Sequence, residues 1–252
     1  MDVNLEGVRR WFETYAQGFE LSEPMLEMKY RHSCDVERVG ERLVRDLGWD
    51  APEAETGIAA CLLHDTGRFS QYRDFRTYRD GASVDHGDRG HAVLTAEFPR
   101  ALADGEARNA ILEAVRWHNK RELPESVEPS NLPFCRLVRD ADKLDVFRLV
   151  QRCMAEGREA ELLPSHKLGL PLSERLLDEV ERTGKGSYQN AESMLDYLLI
   201  QMTWTLDLNT APARALLRET GILEDIRGRF PRGDARVQRV LERMIRAADP
   251  QD

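Results

Sequence analysis

Apolar and polar residues recur along most of the chain with the three-to-four residue spacing of an α-helix. The clearest helix is predicted from about Pro24 to Leu47, with Ser22 as a candidate N-cap, Pro24 in its first turn and Gly48 at its end. Its inward positions are Met25, Met28, His32, Val36, Val39, Leu43 and Leu47. No stretch keeps the two-residue alternation of a strand for long, so the pattern predicts an all-α protein.

The same spacing predicts a second helix over about Pro52 to Asp65, with Gly67 as its stop. Residues 68–86 are rich in Arg, Asp, Gly and Tyr and only weakly periodic, which predicts a long loop that shapes a cleft. Another loop is predicted at PSHKLGLPLS, residues 164–173. The remaining predicted helices lie near 87–98, 105–118, 134–150, 172–183, 190–206, 210–220 and 234–247.

Composition narrows the class of protein. The 252 residues are 41% hydrophobic and 32% charged, which is ordinary for a folded globular chain and excludes a disordered or collagen-like class. Acidic residues outnumber basic ones by 45 to 36, for a net charge of −9, so we expect no broad nucleic-acid binding. No apolar run is long enough to span a membrane, and the first residues lack the order of a signal peptide, so we expect a cytoplasmic protein that binds no membrane.

The four cysteines, Cys34, Cys61, Cys135 and Cys153, are far apart and form no CxxC pair. This spacing argues against a zinc knuckle and against a disulfide framework. We expect reduced thiols, most of them buried.

Several predicted helices carry a histidine or an aspartate on the face that should point inward. Such positions include His32, the pair His64 and Asp65, His118 and Asp142. Burying these groups without partners costs several kcal/mol, and divalent metal ions would satisfy them. Imidazole and carboxylate together suit Mn, Fe, Co, Ni or Zn, and the absence of thiolates argues against a structural zinc site. The isolated His91 and His166 are interpreted as hydrogen-bonded core residues.

These residues lie in motifs that resemble the HD superfamily of metal-dependent phosphohydrolases. The resemblance spans about residues 26–150. The motifs are KYRHSCDVERVGERL around His32, CLLHDTGRF with His64 and Asp65, DHGDRGHAVL, RWHNK and DADKLD. The resemblance implies a compact helical HD-domain bundle with additional C-terminal helices. Residues 1–252 would then form a single all-helical domain, with an HD core of about 24–150 and a C-terminal extension of about 160–250.

The resemblance also implies a binuclear centre with six ligands, which are His32, His64, Asp65, His86, His118 and Asp142. One ion would be held by His32, His64, Asp65 and Asp142, and the second by His86 and His118, with Asp65 bridging both. Asp140 and Asp145 are candidates for supporting the ligands. The chain departs from the branch that cleaves cyclic dinucleotides, because Arg68 replaces that branch's lysine and no GYP follows, so cleavage of cyclic di-GMP is disfavoured.

The implied activity is hydrolysis of a small phosphoester, with nucleotides as one candidate class, by hydroxide that two divalent transition-metal ions activate. Arg68 and Lys120 lie beside ligands in the sequence and, with Asp65, are the candidate catalytic residues. Arg68, Lys120 and Lys143 are the candidate substrate-binding residues. The tyrosines and arginines of 72–79 could grip a nucleotide, although a solvated loop is the default interpretation.

The sequence leaves two alternative functions open. Some relatives with the same six ligands are mixed-valent di-iron oxygenases, although Arg68 stands where the phosphonate oxidisers carry a histidine. A non-catalytic metal-binding sensor is the second alternative. The sequence leaves open the substrate, the native metal, the oligomeric state and the role of the C-terminal helices.

Overall fold

The computed structural model describes residues 2–159 and 169–249, and the regular structure in these ranges is helical apart from one isolated antiparallel bridge between Val3 and Ala103. The helices are α1 Leu5–Gln17, α2 Pro24–Leu47, α3 Ala51–Leu63, α4 Thr66–Phe75, α5 His86–Glu97, α6 Gly105–Trp117, α7 Leu132–Ala155, α8 Glu174–Thr183, α9 Met194–Thr203, α10 Ala211–Glu219, α11 Ile222–Arg227 and α12 Ala235–Ala247. The all-α prediction is confirmed.

The chain divides into two compact units, residues 1–145 and 146–252, and the division falls inside α7. The boundary lies close to residue 150, where the sequence analysis ends the core. That the whole chain forms one domain stays a prediction.

Helix α3 is the centre of the first unit. It packs against α1, α2 and α6, while α4 packs on α5 and α5 on α6. From Thr56 to Leu63 all of its side chains are buried. A helix that is apolar on all sides must be covered on all sides, which explains why the neighbouring helices surround it.

Helix α2 has the predicted bounds but not the predicted cap. Its N-cap is Glu23, whose side chain makes no capping hydrogen bond, so the choice of Ser22 was wrong. Pro24 supplies the first turn, where its missing N–H costs nothing. Gly48 ends the helix with φ 71°, a conformation that a residue without Cβ adopts at little cost.

Two predictions around residue 67 were wrong. Gly67 does not end the second helix, because α3 already ends at Leu63 and Gly67 lies in the first turn of α4. Residues 68–75, predicted as loop, belong to α4 and bury Phe69. A Cβ on Gly67 would lie 2.2 Å from the carbonyl oxygen of His86, so this glycine permits the close approach of α4 and α5 and does not terminate a helix.

In the second unit, α9 is mostly buried and packs against α12. Arg236 of α12 forms ion pairs with three carboxylates of α8, those of Glu174, Asp178 and Glu181. The short helix α11 was not predicted. His166 and most of the predicted loop at 164–173 lie outside the described residues.

The four cysteines are free, and all but the half-buried Cys34 are buried, as predicted. Among the described residues, no helix combines the length and the apolar character that crossing a membrane requires.

Candidate metal centre

The six side chains that the motifs assign to metal come together in the first unit. They project from the middle of α2 (His32), the junction of α3 and α4 (His64 and Asp65), the first residue of α5 (His86), the residue after α6 (His118) and the first half of α7 (Asp142). Five of these side chains are at most 6% exposed, whereas that of Asp142 is 25% exposed. The cluster is therefore open to solvent beside Asp142.

Four donor atoms form a first group. The Nε2 atom of His32 lies 3.1 Å from Oδ1 of Asp142 and 3.2 Å from Nε2 of His64. The Oδ2 atom of Asp65 lies 3.6 Å from each of these Nε2 atoms. His64 Nε2 lies 3.7 Å from Asp142 Oδ1, which closes the group.

The other oxygen of Asp65 takes part in a second group. Asp65 Oδ1 lies 3.5 Å from Nε2 of His86 and 3.7 Å from Nε2 of His118. These two nitrogens are 3.0 Å apart. One carboxylate thus contributes one oxygen to each of two neighbouring groups of donor atoms.

The hydrogen bonds of the four imidazole rings fix their tautomers. Each Nδ1 faces an acceptor that cannot donate, so the neutral ring carries its proton on Nδ1 and a lone pair on Nε2. These acceptors are Asp145 Oδ2 for His32 at 2.7 Å, the Cys61 carbonyl for His64 at 2.8 Å, Asp80 Oδ2 for His86 at 2.6 Å and the Val115 carbonyl for His118 at 2.7 Å. In their neutral form, all four rings therefore turn an Nε2 lone pair toward the cluster.

This donor set fits divalent metal ions. In the second group, Nε2 lone pairs 3.0 Å apart repel unless a cation lies between them. Neighbouring ligand atoms about 2.0–2.2 Å from an ion in tetrahedral or octahedral geometry are about 2.8–3.6 Å from one another, close to the spacing in both groups. Imidazole nitrogen with carboxylate oxygen is a donor set for first-row transition metals.

Burial and neighbouring charges set the protonation of the ligands. Burial lowers the pKa of His64 to about 4 and that of His86 to about 3, so both rings are neutral at pH 7. Burial and Lys29 also lower the pKa of His32, but its hydrogen bonds with Asp142 and Asp145 outweigh them and raise it to about 9. In the metal-free protein, His32 is thus protonated at neutral pH and supplies a positive charge to the first group.

The two aspartate ligands are ionised. Burial by itself would raise the pKa of Asp65, but the positive charges of Lys29 and Arg68 hold it well below its ordinary value. Burial opposes ionisation of Asp142 as well, and its hydrogen bond with His32 lowers its pKa. Both carboxylates are available as anionic ligands at neutral pH.

Arg68 lies beside the cluster, as its place in the HDTGR motif predicts. Its Nε is 3.4 Å from Asp65 Oδ1, and its side chain is 15% exposed. One terminal nitrogen donates to the Tyr78 carbonyl at 2.6 Å and to Asp80 Oδ1 at 3.0 Å. The guanidinium is therefore fixed next to the Asp65 carboxylate, and its catalytic and substrate-binding roles stay predictions.

The two predicted lysines have contacts away from the six ligands. Lys120 Nζ pairs with Asp85 at 2.5 Å and Asp88 at 3.0 Å, at the N-terminus of α5. Lys143 Nζ donates to the carbonyl of Arg139 at 3.3 Å. Their substrate-binding roles also stay predictions.

Two charged residues of the site were not predicted from the sequence. Lys29 Nζ lies 2.7 Å from Asp65 Oδ2, and Asp80 orients His86 and Arg68 together. Lys29 precedes His32 by three residues, so helical spacing places both on one side of α2 and was a usable signal. Asp80 lies in the connection between α4 and α5, where no periodicity indicates direction.

Two further residues place the ligands. A Cβ on Gly87 would lie 2.4 Å from Asn119 Oδ1 and 2.6 Å from the Arg116 carbonyl, so a glycine next to His86 lets α5 reach the end of α6. Buried Arg139 donates to the carbonyls of Trp117 at 3.3 Å, His118 at 3.2 Å and Lys120 at 2.5 Å. The guanidinium thereby supplies donors to carbonyls at the end of α6 that have no partner inside the helix, and it fixes the position of His118.

Comparison with protein families supports this interpretation of the site. Residues 30–146 match the model of the HD domain, a span that contains all six candidate ligands. Neither the comparison with curated proteins nor that with solved structures gives a match. Most proteins with this domain are metal-dependent phosphohydrolases, so the match indicates a metal-dependent hydrolase in general. Residues 30–146, just under half of the chain, therefore form an HD domain of the HD superfamily.

Proposed function

We propose that this chain hydrolyses a small phosphoester, with nucleotides as the first class to test, by means of two divalent transition-metal ions. The observation that carries the proposal is the division of Asp65 between two groups of inward-facing imidazole nitrogens. A single ion would need only one of these groups. The second group supplies two more Nε2 lone pairs, which a mononuclear site would leave unmatched.

The charge of the loaded site favours an anionic substrate. Two divalent ions bring four positive charges, while Asp65 and Asp142 supply two negative charges and the four imidazoles none. The remaining two positive charges complement a phosphate monoester dianion. The partly exposed Asp142 marks the side from which such a substrate reaches the ions.

When bound, the two ions lower the pKa of a water molecule and neutralise charge on the phosphoryl group. The chain's own residues then orient the substrate. Arg68 is held by Tyr78 and Asp80, and among the described residues its Nε has no hydrogen-bond acceptor. A planar guanidinium in this place can donate to the non-bridging oxygens of a phosphoryl group.

The test is phosphate release from a panel of nucleotides and other small phosphoesters, with metal-free protein reloaded with Mn, Co, Ni or Zn. Asp65→Ala should abolish turnover and metal binding together while leaving the helix content unchanged, because Asp65 serves both groups. Asp46→Ala removes an exposed carboxylate of α2 that pairs with Arg42, and this control should keep both properties.

Full metal content and activity in Asp65→Ala would overturn the proposed site. Wild-type protein that holds two irons, consumes oxygen with a screened substrate and releases no phosphate would overturn the hydrolase proposal in favour of an oxygenase.

A further inference from the structure

Among the described residues, Lys29 makes the shortest polar contact with the side-chain carboxylate of Asp65. Its Nζ lies 2.7 Å from Asp65 Oδ2, the same oxygen that faces His32 and His64. The Lys29 side chain is 13% exposed, so it is mostly buried beside the cluster. A positive charge therefore already occupies the side of Asp65 to which the first metal ion would bind.

Two cations flank Asp65, one at each oxygen, and both contact one aromatic ring. Lys29 Nζ lies 5.6 Å and the Arg68 guanidinium 5.5 Å from the centre of the Tyr78 ring. The hydroxyl of Tyr78 donates to the Met25 carbonyl at 2.8 Å, which fixes this ring between α2 and the connection after α4. The ring thus keeps both cations beside the cluster.

The contact with Asp65 does not use all the N–H donors of the Lys29 ammonium. An ammonium carries three N–H donors, and within the described residues Asp65 is the acceptor found for Lys29. The flexible four-carbon stem allows the ammonium to leave Asp65 without movement of α2. An anion beside Asp65 could then accept from Lys29 and from the Nε of Arg68, which has no hydrogen-bond acceptor among the described residues.

We propose that Lys29 competes with the first metal ion for Asp65 and, once that ion is bound, donates to the phosphoryl group of the substrate. Two cations at one carboxylate oxygen repel each other, so the ion displaces the ammonium. The displaced ammonium stays next to the ions and adds a positive charge where the substrate anion binds. The second half of this inference rests on the proposed function.

The test compares Lys29→Met, which keeps the length of the side chain and removes its charge, with Arg31→Met. Arg31 lies two residues further along α2, is 73% exposed and pairs with Glu27, so its loss makes the same change of charge away from the site. Two quantities are measured. They are the dissociation constant of the first Mn²⁺ ion, by competition with a chelator, and that of inorganic phosphate on the metal-loaded protein, by calorimetry.

Lys29→Met should bind the first ion about tenfold more tightly and inorganic phosphate about tenfold more weakly, while Arg31→Met matches the wild type. Lys29→Arg should restore phosphate binding. A merely structural role would weaken metal binding, so the sign of the first change separates the two explanations. Lys29→Gln serves as the second variant if Lys29→Met does not fold.

Unchanged or weaker metal binding, or unchanged phosphate binding, in the charge-removing variants would overturn the proposal. Neither measurement requires turnover. Absence of phosphoester hydrolysis in the wild type would therefore contradict the proposed function without deciding the role of Lys29 in metal binding.

Discussion

Gly67 connects the packing of α4 and α5 to the second group of donor atoms. A Cβ at this position would lie 2.2 Å from the carbonyl oxygen of His86 and 2.5 Å from the amide nitrogen of Gly90. Both atoms belong to the backbone of α5, so a change of rotamer cannot relieve the clash. Gly67→Ala must push the start of α4 and the start of α5 apart.

The size of the displacement follows from these distances. Normal contact requires about 3.2 Å or more, so the helices must separate by about 1 Å at this point, a strain of about 1–3 kcal/mol. For a chain of this length that corresponds to a decrease in Tm of about 2–12 °C. Asp65 and His86 lie directly beside the clash, and metal ligands tolerate errors of only about 0.2 Å.

Gly67→Ala should therefore fold, lose thermal stability and lose the second ion while it keeps the first. Differential scanning calorimetry and elemental analysis measure the two effects. Gly81→Ala is the matched control, because a Cβ there would meet nothing within 4 Å, and this variant should keep wild-type stability and metal content. Two ions and an unchanged Tm in Gly67→Ala would refute the assignment of Gly67 as the residue that sets this spacing.

Two further predictions concern the first group of ligands. His32, with a pKa of about 9, is protonated at pH 7.5 in the metal-free protein, whereas His64 and His86 are already neutral. Binding of the first ion at pH 7.5 should thus release about one proton, and the affinity for this ion should fall about tenfold for each pH unit below 9. Calorimetry in buffers of different ionisation enthalpy counts the released proton. Binding without proton release would contradict the prediction. Asp145→Asn removes the carboxylate that accepts from His32 Nδ1 and should weaken the first ion by about 10–100-fold, as a metal titration would show, whereas unchanged affinity would contradict this role.

The sequence predicted which candidate ligands come together better than it predicted what surrounds them. His32, His64, Asp65, His118 and Asp142 stand out because polar groups interrupt apolar helical faces, and the family motifs added His86. Helix α2 was predictable at both ends because proline and glycine have fixed backbone preferences at helix ends.

The predictions failed where tertiary contacts decide the structure. Gly67 has the appearance of a helix stop, and only the proximity of α5 reveals why a residue without Cβ is required there. Asp80 contacts His86 and Arg68 across a turn that no local pattern specifies. The aromatic ring of Tyr78 was assigned to a solvated loop, yet its hydroxyl and both neighbouring cations fix it beside the site.

The proposed centre binds two ions through separate groups of donor atoms that share Asp65. The most direct measurement is elemental analysis of protein purified without chelator or affinity nickel, in parallel with His86→Gln and His91→Gln. His91 lies on α5 five residues after His86 and outside both groups, so it is the matched histidine control. We expect two ions per chain in the wild type and in His91→Gln, and one in His86→Gln. Fewer than two ions in the wild type, or two in His86→Gln, would contradict the binuclear centre.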